Sequence, residues 1–98
     1  MRLSEDFDGA ASLGRYVVRS TDIDLGGHMN NAAYVRAIAG TFSSKEWRAL
    51  NVREMEMAFR SPCFEGEALD IQRRDFDSGI DIRLSRAGKT VVLARITV

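Results

Sequence analysis

The chain has 98 residues, a single cysteine, and 14 basic against 14 acidic side chains, which gives a formal net charge of zero. This length suits one domain with a thin core, so a second copy or a second domain is an expected partner. Zero net charge lacks the basic footprint of nucleic-acid-binding proteins, and no apolar run approaches the roughly 20 residues that cross a bilayer. The acidic N-terminus is unlike a signal peptide, and the lone cysteine fits a reducing compartment, so we expect a cytoplasmic protein.

The first part of the chain predicts a tail, a strand and a loop. Residues 1–13 are polar and small without a period, so we expect a tail or linker stub there and the folded domain over 14–98. Residues 15–20 alternate in polarity and predict a short strand. Residues 21–30 contain two Asp, paired Gly and Asn, a composition typical of a loop.

A helix is predicted over 32–42, with Asn30 or Asn31 as its N-cap. Ser44 can cap a second short helical turn over 45–50. The first helix is expected to bury an apolar face, while Ala33, Ala37 and Gly40 lie towards its other side. Five residues at spacings of three and four define that face: Tyr34, Val35, Ile38, Ala39 and Phe42.

The remainder of the chain predicts four antiparallel strands over 52–60, 67–75, 80–85 and 90–98. The last of them is apolar on both faces, so it should be central or covered on both sides. One long helix against one antiparallel sheet of about five strands is an α+β fold.

The segment from Asp22 to Asn31 contains the chemistry of the chain, because two carboxylates and the sole histidine stand directly before a helix. A helix N-terminus offers unpaired N–H groups and partial positive charge, which stabilise a developing oxyanion. A carboxylate nearby can act as nucleophile or activate water. The same residue types also form ordinary loops and caps, so the pattern alone leaves a purely structural interpretation open.

Two motifs resemble those of hotdog-fold acyl thioesterases, and most closely the C-terminal hotdog of acyl-acyl-carrier-protein (acyl-ACP) thioesterases and their 4-hydroxybenzoyl-CoA-thioesterase-like relatives. Residues 22–34 resemble the signature D-x-D-x-x-G-H-x-N-N-x-x-Y, and residues 59–69 resemble F/Y-x-x-P-x-x-x-G-D/E-x-L. The chain departs from plant members at Gly26, where they have Asn, and at Pro62, where they have Glu before the cysteine.

The resemblance implies a single hotdog, in which the sheet wraps one central helix, and it assigns roles to the loop. Asp24 falls on the catalytic carboxylate and His28 on the catalytic histidine. The residues expected to bind substrate or order the loop are Gly26, Gly27, Asn30, Asn31 and Tyr34. Cys63 and Glu65 are further candidates, and neither a cofactor nor a metal site is expected.

The leading functional hypothesis is hydrolysis of an acyl thioester of ACP or CoA to a free fatty acid and a thiol, by a homodimer or a pair of hotdogs. The alternative is a non-catalytic acyl-binding or scaffold half that requires a partner hotdog, and a purely structural interaction domain is a third class. No nucleic acid or membrane partner is expected. Arg73, Arg74 and Arg83 would either meet an acidic carrier protein or lie on a solvated strand face.

Overall fold

A computed structural model describes residues 3–4 and 6–98. The predicted tail over 1–13 therefore falls partly outside the described residues. In chain order the elements are β1 (Ala11–Val17), a 3₁₀ turn (Ser20–Asp22), α1 (Asn31–Ala39), α2 (Ser44–Leu50), β2 (Glu54–Phe59), β3 (Ala68–Phe76), β4 (Gly79–Arg86) and β5 (Lys89–Thr97).

The strands form one antiparallel sheet in the order β1-β3-β4-β5-β2, which confirms the predicted α+β class and the five strands. Adjacent hairpins join β3 to β4 and β4 to β5, and the Ala87-Gly88 turn of the second hairpin has positive φ at both residues. β5 lies between β4 and β2, as its two apolar faces predicted. β1 and β2 are the edges of this sheet.

Helix α1 packs against one face of the sheet, which we call the inner face and which carries Ile71, Ile82 and Leu84. Helix α1 and the sheet thus form two layers, an arrangement consistent with the hotdog expectation. Ile38, Ile82 and Leu84 are completely buried, so the core lies between α1 and the central strands.

The buried side of α1 agrees only in part with the predicted one: Tyr34 and Ile38 are buried as expected, as is Phe42 just beyond the helix, but other positions differ. Ala33, Tyr34, Ala37 and Ile38 are buried, whereas Val35 is 39% exposed. Of the small residues expected on the opposite side, Ala33 and Ala37 thus face the core, whereas Gly40 is exposed. Alanine at these positions lets the helix axis approach the sheet closely, and the helical period then places Val35 beyond the edge of this buried side.

Strand β1 also differs from its prediction, because it begins at Ala11 and ends at Val17 instead of spanning 15–20. Its backbone pairs with β3 from Ala11 onwards, with a register shift between Ser12 and Gly14. The small and polar residues at the beginning of this edge strand do not alternate between apolar and polar, so the sequence does not predict where the strand begins.

The opposite, outer face of the sheet is covered by residues near the N-terminus. Leu3 and Phe7 are buried against Leu93, which explains the second apolar face of β5. The guanidinium of Arg74 lies over the Phe7 ring and donates to the carbonyl of Asp6. Among the described residues, no helix is both long and apolar enough to span a membrane.

Candidate functional site

The segment between the 3₁₀ turn and α1 closes into a tight loop. Ile23 and Met29 form a bridge, and inside it the Asp24 N–H donates to the His28 carbonyl at 3.1 Å. Gly27 N–H donates to the Asp24 carbonyl at 3.0 Å and has a φ of +86°, which a residue with a side chain rarely adopts. This backbone pairing brings positions 24 and 28 together.

Asp24 and His28 are the acidic and imidazole groups of the loop, and they face each other. Oδ1 of Asp24 lies 4.0 Å from Nδ1 of His28, and the side chains are 42% and 49% exposed. The N–H of Gly26 donates to the same Oδ1 at 2.8 Å and orients the carboxylate. A β-carbon at Gly26 would stand 3.1 Å from that oxygen, so the absence of a side chain leaves room for it.

Asn30 joins the loop to the start of α1. Its side-chain oxygen accepts from Ala33 N–H at 2.8 Å as the N-cap, and its amide nitrogen donates to the Asp22 carbonyl at 3.1 Å. Asn31 is the first residue of the helix. Of the two predicted caps, Asn30 is therefore the actual one, and His28 stands two residues before this N-cap.

Asp22 anchors the beginning of the loop, a role that the sequence interpretation did not assign. Its side chain is 4% exposed and accepts from the Tyr16 hydroxyl at 2.7 Å and the Arg19 N–H at 2.9 Å, with Arg36 3.8 Å away. Burial, and then the hydrogen bond to Asp22, raises the pKa of Tyr16. The position of Asp22 at the start of the first motif was the available signal.

A pocket of about 280 Å³ opens beside His28 and the start of α1. It has an apolar wall where the Tyr34 and Phe59 rings meet edge to face, with centroids 5.4 Å apart. Asp24 is not among its lining residues, and its carboxylate is connected to the pocket through His28, 4.0 Å away. The pocket is lined by His28, Met29, Asn31, Tyr34, Phe59, Arg60, Ser61 and Pro62.

Cys63 is completely buried behind this pocket. Burial raises the pKa of its thiol, although the hydrogen bond from Tyr34 and the charge of Arg86 act in the opposite direction. Burial also raises the pKa of Tyr34, and the hydrogen bond to Cys63 adds to the effect. A protonated, inaccessible thiol is a poor nucleophile. Glu65, the other of the two further candidates, is exposed and does not line the pocket.

The three arginines considered for carrier binding bond to neighbouring groups of this chain. Arg73 pairs with Asp75 and Glu46, Arg74 with Asp81, and Arg83 donates to neighbouring strands and turns. These contacts give them structural partners. Within residues 3–4 and 6–98, no group of three or more His, Cys, Asp or Glu side chains could hold a metal ion.

Solved structures of low sequence identity share this fold. An acyl-ACP thioesterase from Bacteroides thetaiotaomicron superposes with a TM-score of 0.80 at 19% identity, over 89% of this chain and 37% of that one. A hypothetical protein from Staphylococcus aureus in complex with CoA superposes with a TM-score of 0.75 at 16% identity, over 91% of this chain and 79% of that one. A 1,4-dihydroxy-2-naphthoyl-CoA thioesterase from Synechocystis superposes with a TM-score of 0.69 at 13% identity, over 84% of this chain and 75% of that one.

The sequence itself identifies the family more directly than the fold does. No curated protein sequence matches the chain significantly. The family model of the acyl-ACP thioesterase C-terminal domain, however, matches residues 6–97. The chain spans a little over a third of the Bacteroides protein, 37% of its length. With a match that runs through the loop, the helix and all five strands, the chain belongs to the family of acyl-ACP thioesterase C-terminal domains.

Proposed function

We propose that this chain hydrolyses acyl thioesters, with Asp24 and His28 as its catalytic groups. The observation that carries the proposal is the pairing of these two side chains in a loop that leads directly into α1, beside the pocket. Family membership and the thioesterases among the structural neighbours support the reaction class.

The reaction follows from where charge develops. A thioester carbonyl placed at the N-terminus of α1 meets unpaired N–H groups and partial positive charge, which stabilise the oxyanion of the tetrahedral intermediate. Asp24 takes a proton from a water molecule that attacks the carbonyl carbon, or attacks that carbon itself to form a mixed anhydride, which water then hydrolyses to the free acid and the carboxylate; in either route the C–S bond breaks as the tetrahedral intermediate collapses. His28 orients the reacting group and helps to protonate the departing thiolate. Asn30 and the glycines hold the loop, and the Tyr34–Phe59 wall meets the acyl chain.

We propose that the active unit pairs two hotdogs through β2. This strand is an edge of the sheet, and it ends at Phe59, which is 44% exposed and lines the pocket. An unpaired edge strand offers backbone groups for continuing the sheet into a second copy. Pairing there would bring the partner's surface to the mouth of the pocket beside His28.

A second candidate function is an acyl-binding half that works only with a different hotdog domain. The observation that favours it is the coverage of the Bacteroides acyl-ACP thioesterase, of which this chain corresponds to 37%. In this case the isolated chain would form a stable dimer, or remain a monomer, without turnover on any acyl thioester.

Thiol release from a series of acyl-CoA and acyl-ACP substrates tests the proposal, with the oligomeric state of the chain measured under the same conditions. We expect turnover by a dimer that exceeds the rate of the buffer alone and saturates with substrate. Binding of acyl thioesters without turnover would favour the second candidate, and neither binding nor turnover would contradict both.

A further inference from the structure

We propose that Arg86, together with Glu67, is a positioning residue that holds His28 in its place beside the pocket. The inference rests on the proposed function for its catalytic meaning, but the contacts that carry it do not depend on the reaction. They run from strand β4 through the loop of residues 62–67 to Val18, which precedes the Asp24–His28 loop, and to His28 and Met29 at the end of that loop.

The loop of residues 62–67 is bonded to the chain on either side of the site. Before the site, Gly66 N–H donates to the Val18 carbonyl at 2.8 Å, and Val18 N–H donates to the Glu67 carbonyl at 2.9 Å. After it, Met29 N–H donates to the Cys63 carbonyl at 2.8 Å. Any displacement of this loop therefore shifts the backbone next to His28.

The same loop also touches the imidazole through a side chain. The rings of Phe64 and His28 meet edge to face, with centroids 6.4 Å apart and an interplanar angle of 77°. The backbone N–H of Phe64 donates to Oε1 of Glu67 at 2.8 Å. Glu67 thus fixes the backbone of the residue whose ring packs against His28.

Arg86 attaches this arrangement to the sheet. Its Nη1 donates to Oε1 of Glu67 at 2.9 Å and to the Pro62 carbonyl at 2.9 Å. The side chains of Arg86 and Glu67 are 32% and 30% exposed, so the pair is partly shielded from water. Charge-assisted hydrogen bonds of this kind are shorter and stronger than neutral ones, and here they start from a strand in the interior of the sheet.

The test uses the fact that His28 is the only histidine, so the imidazole gives a single set of NMR signals. We expect Arg86→Met and Glu67→Gln to shift or broaden these signals in the folded protein. Arg83→Met is the matched control, because Arg83 lies on the same strand and donates to Thr90, Gln72 and Gly88 without bonding to the loop. Arg86→Lys retains a cation and should restore much of the wild-type spectrum. Glu67→Gln, which keeps the size of the side chain, decides the inference if the methionine variant does not fold.

Unchanged His28 signals in Arg86→Met and Glu67→Gln would overturn the inference, as would an equal change in Arg83→Met. In the thioesterase assay we expect kcat to fall about 10-fold in Arg86→Met with little change in KM, since misplacement by about 1 Å can cost about 100-fold. A wild-type kcat in a variant whose imidazole signals move would contradict the catalytic part. A wild-type chain that hydrolyses no thioester would refute the proposed function, and the NMR comparison would still decide the inference.

Discussion

The carboxylate of Asp24 and the imidazole of His28 face each other across one tight loop, with Oδ1 and Nδ1 4.0 Å apart. Backbone hydrogen bonds within the loop set this separation, and the Gly26 N–H orients the carboxylate. Both groups remain about half exposed, so they can reach a substrate as well as each other.

Gly26→Ala should reduce catalysis more than stability. The new β-carbon would lie 3.1 Å from Oδ1 of Asp24 and displace the carboxylate, for which we expect about a 10-fold loss of kcat/KM. Gly27→Ala is the matched control: its β-carbon meets no atom within 4 Å, but its φ of +86° is strained for alanine. That strain should lower the free energy of unfolding by about 1–2 kcal/mol. Similar thermal stabilities combined with identical kinetics in the two variants would contradict this account.

Asn30→Ala should destabilise the protein and disorder the start of α1. It removes the N-cap bond to Ala33 and the bond to the Asp22 carbonyl, so we expect a loss of about 1–2 kcal/mol in urea unfolding. Ser43→Ala, which removes the exposed cap of α2, should cost about 0.5–1 kcal/mol and leave kcat unchanged. Equal effects of the two substitutions on kcat would argue against a special role for the α1 cap.

Alkaline pH should destabilise the folded state through the buried pair of Cys63 and Tyr34. Both pKa values are raised, chiefly by burial, so the folded protein binds these protons more tightly than the unfolded chain does. Their contribution to stability is present below the ordinary thiol pKa of about 8.5 and is lost as pH rises through the folded-state values. The urea concentration at the midpoint of unfolding should therefore decrease as the pH is raised from roughly 8 to 10.

Cys63→Ala provides the control for this pH dependence. Without the thiol, the alkaline decrease of the urea midpoint should be smaller, whereas hydrolysis at neutral pH should continue. Iodoacetamide should alkylate the wild-type thiol much faster in urea than in buffer, because Cys63 is fully buried in the folded state. Rapid alkylation of the native protein with loss of activity would instead indicate a reactive, catalytic thiol.

Dilution should lower the specific activity if pairing through β2 completes the pocket. We expect a mass near twice 10.9 kDa at high concentration and a decline in turnover per chain as the dimer dissociates. Phe59→Asp, at the exposed end of this edge, should shift the dissociation to higher concentration. Strict proportionality between rate and protein concentration, with a monomeric mass throughout, would exclude a requirement for pairing.

The alternation of strands β3 and β4 and the two apolar faces of β5 predicted these strands of the sheet, and the composition of the loop indicated the place of the candidate site. Two features of the fold escaped the pattern: the burial of Ala33 and Ala37, which depends on how closely α1 approaches the sheet, and the start of β1, which depends on backbone pairing alone. Contacts between residues that are far apart in the sequence could not be predicted either. Arg86 is one arginine among many in the sequence, and its bonds to Glu67 and Pro62 exist only in three dimensions.

The central claim is that Asp24 takes part in breaking the thioester bond. The most direct measurement is kcat/KM for thiol release from acyl-CoA or acyl-ACP by Asp24→Asn, compared with wild type and with Asp77→Asn, which changes an exposed carboxylate in a distant turn. The asparagine oxygen can still accept from Gly26 N–H, so the fold should persist while the rate falls about 100-fold or more. Equal kcat/KM values in all three proteins would contradict the assignment.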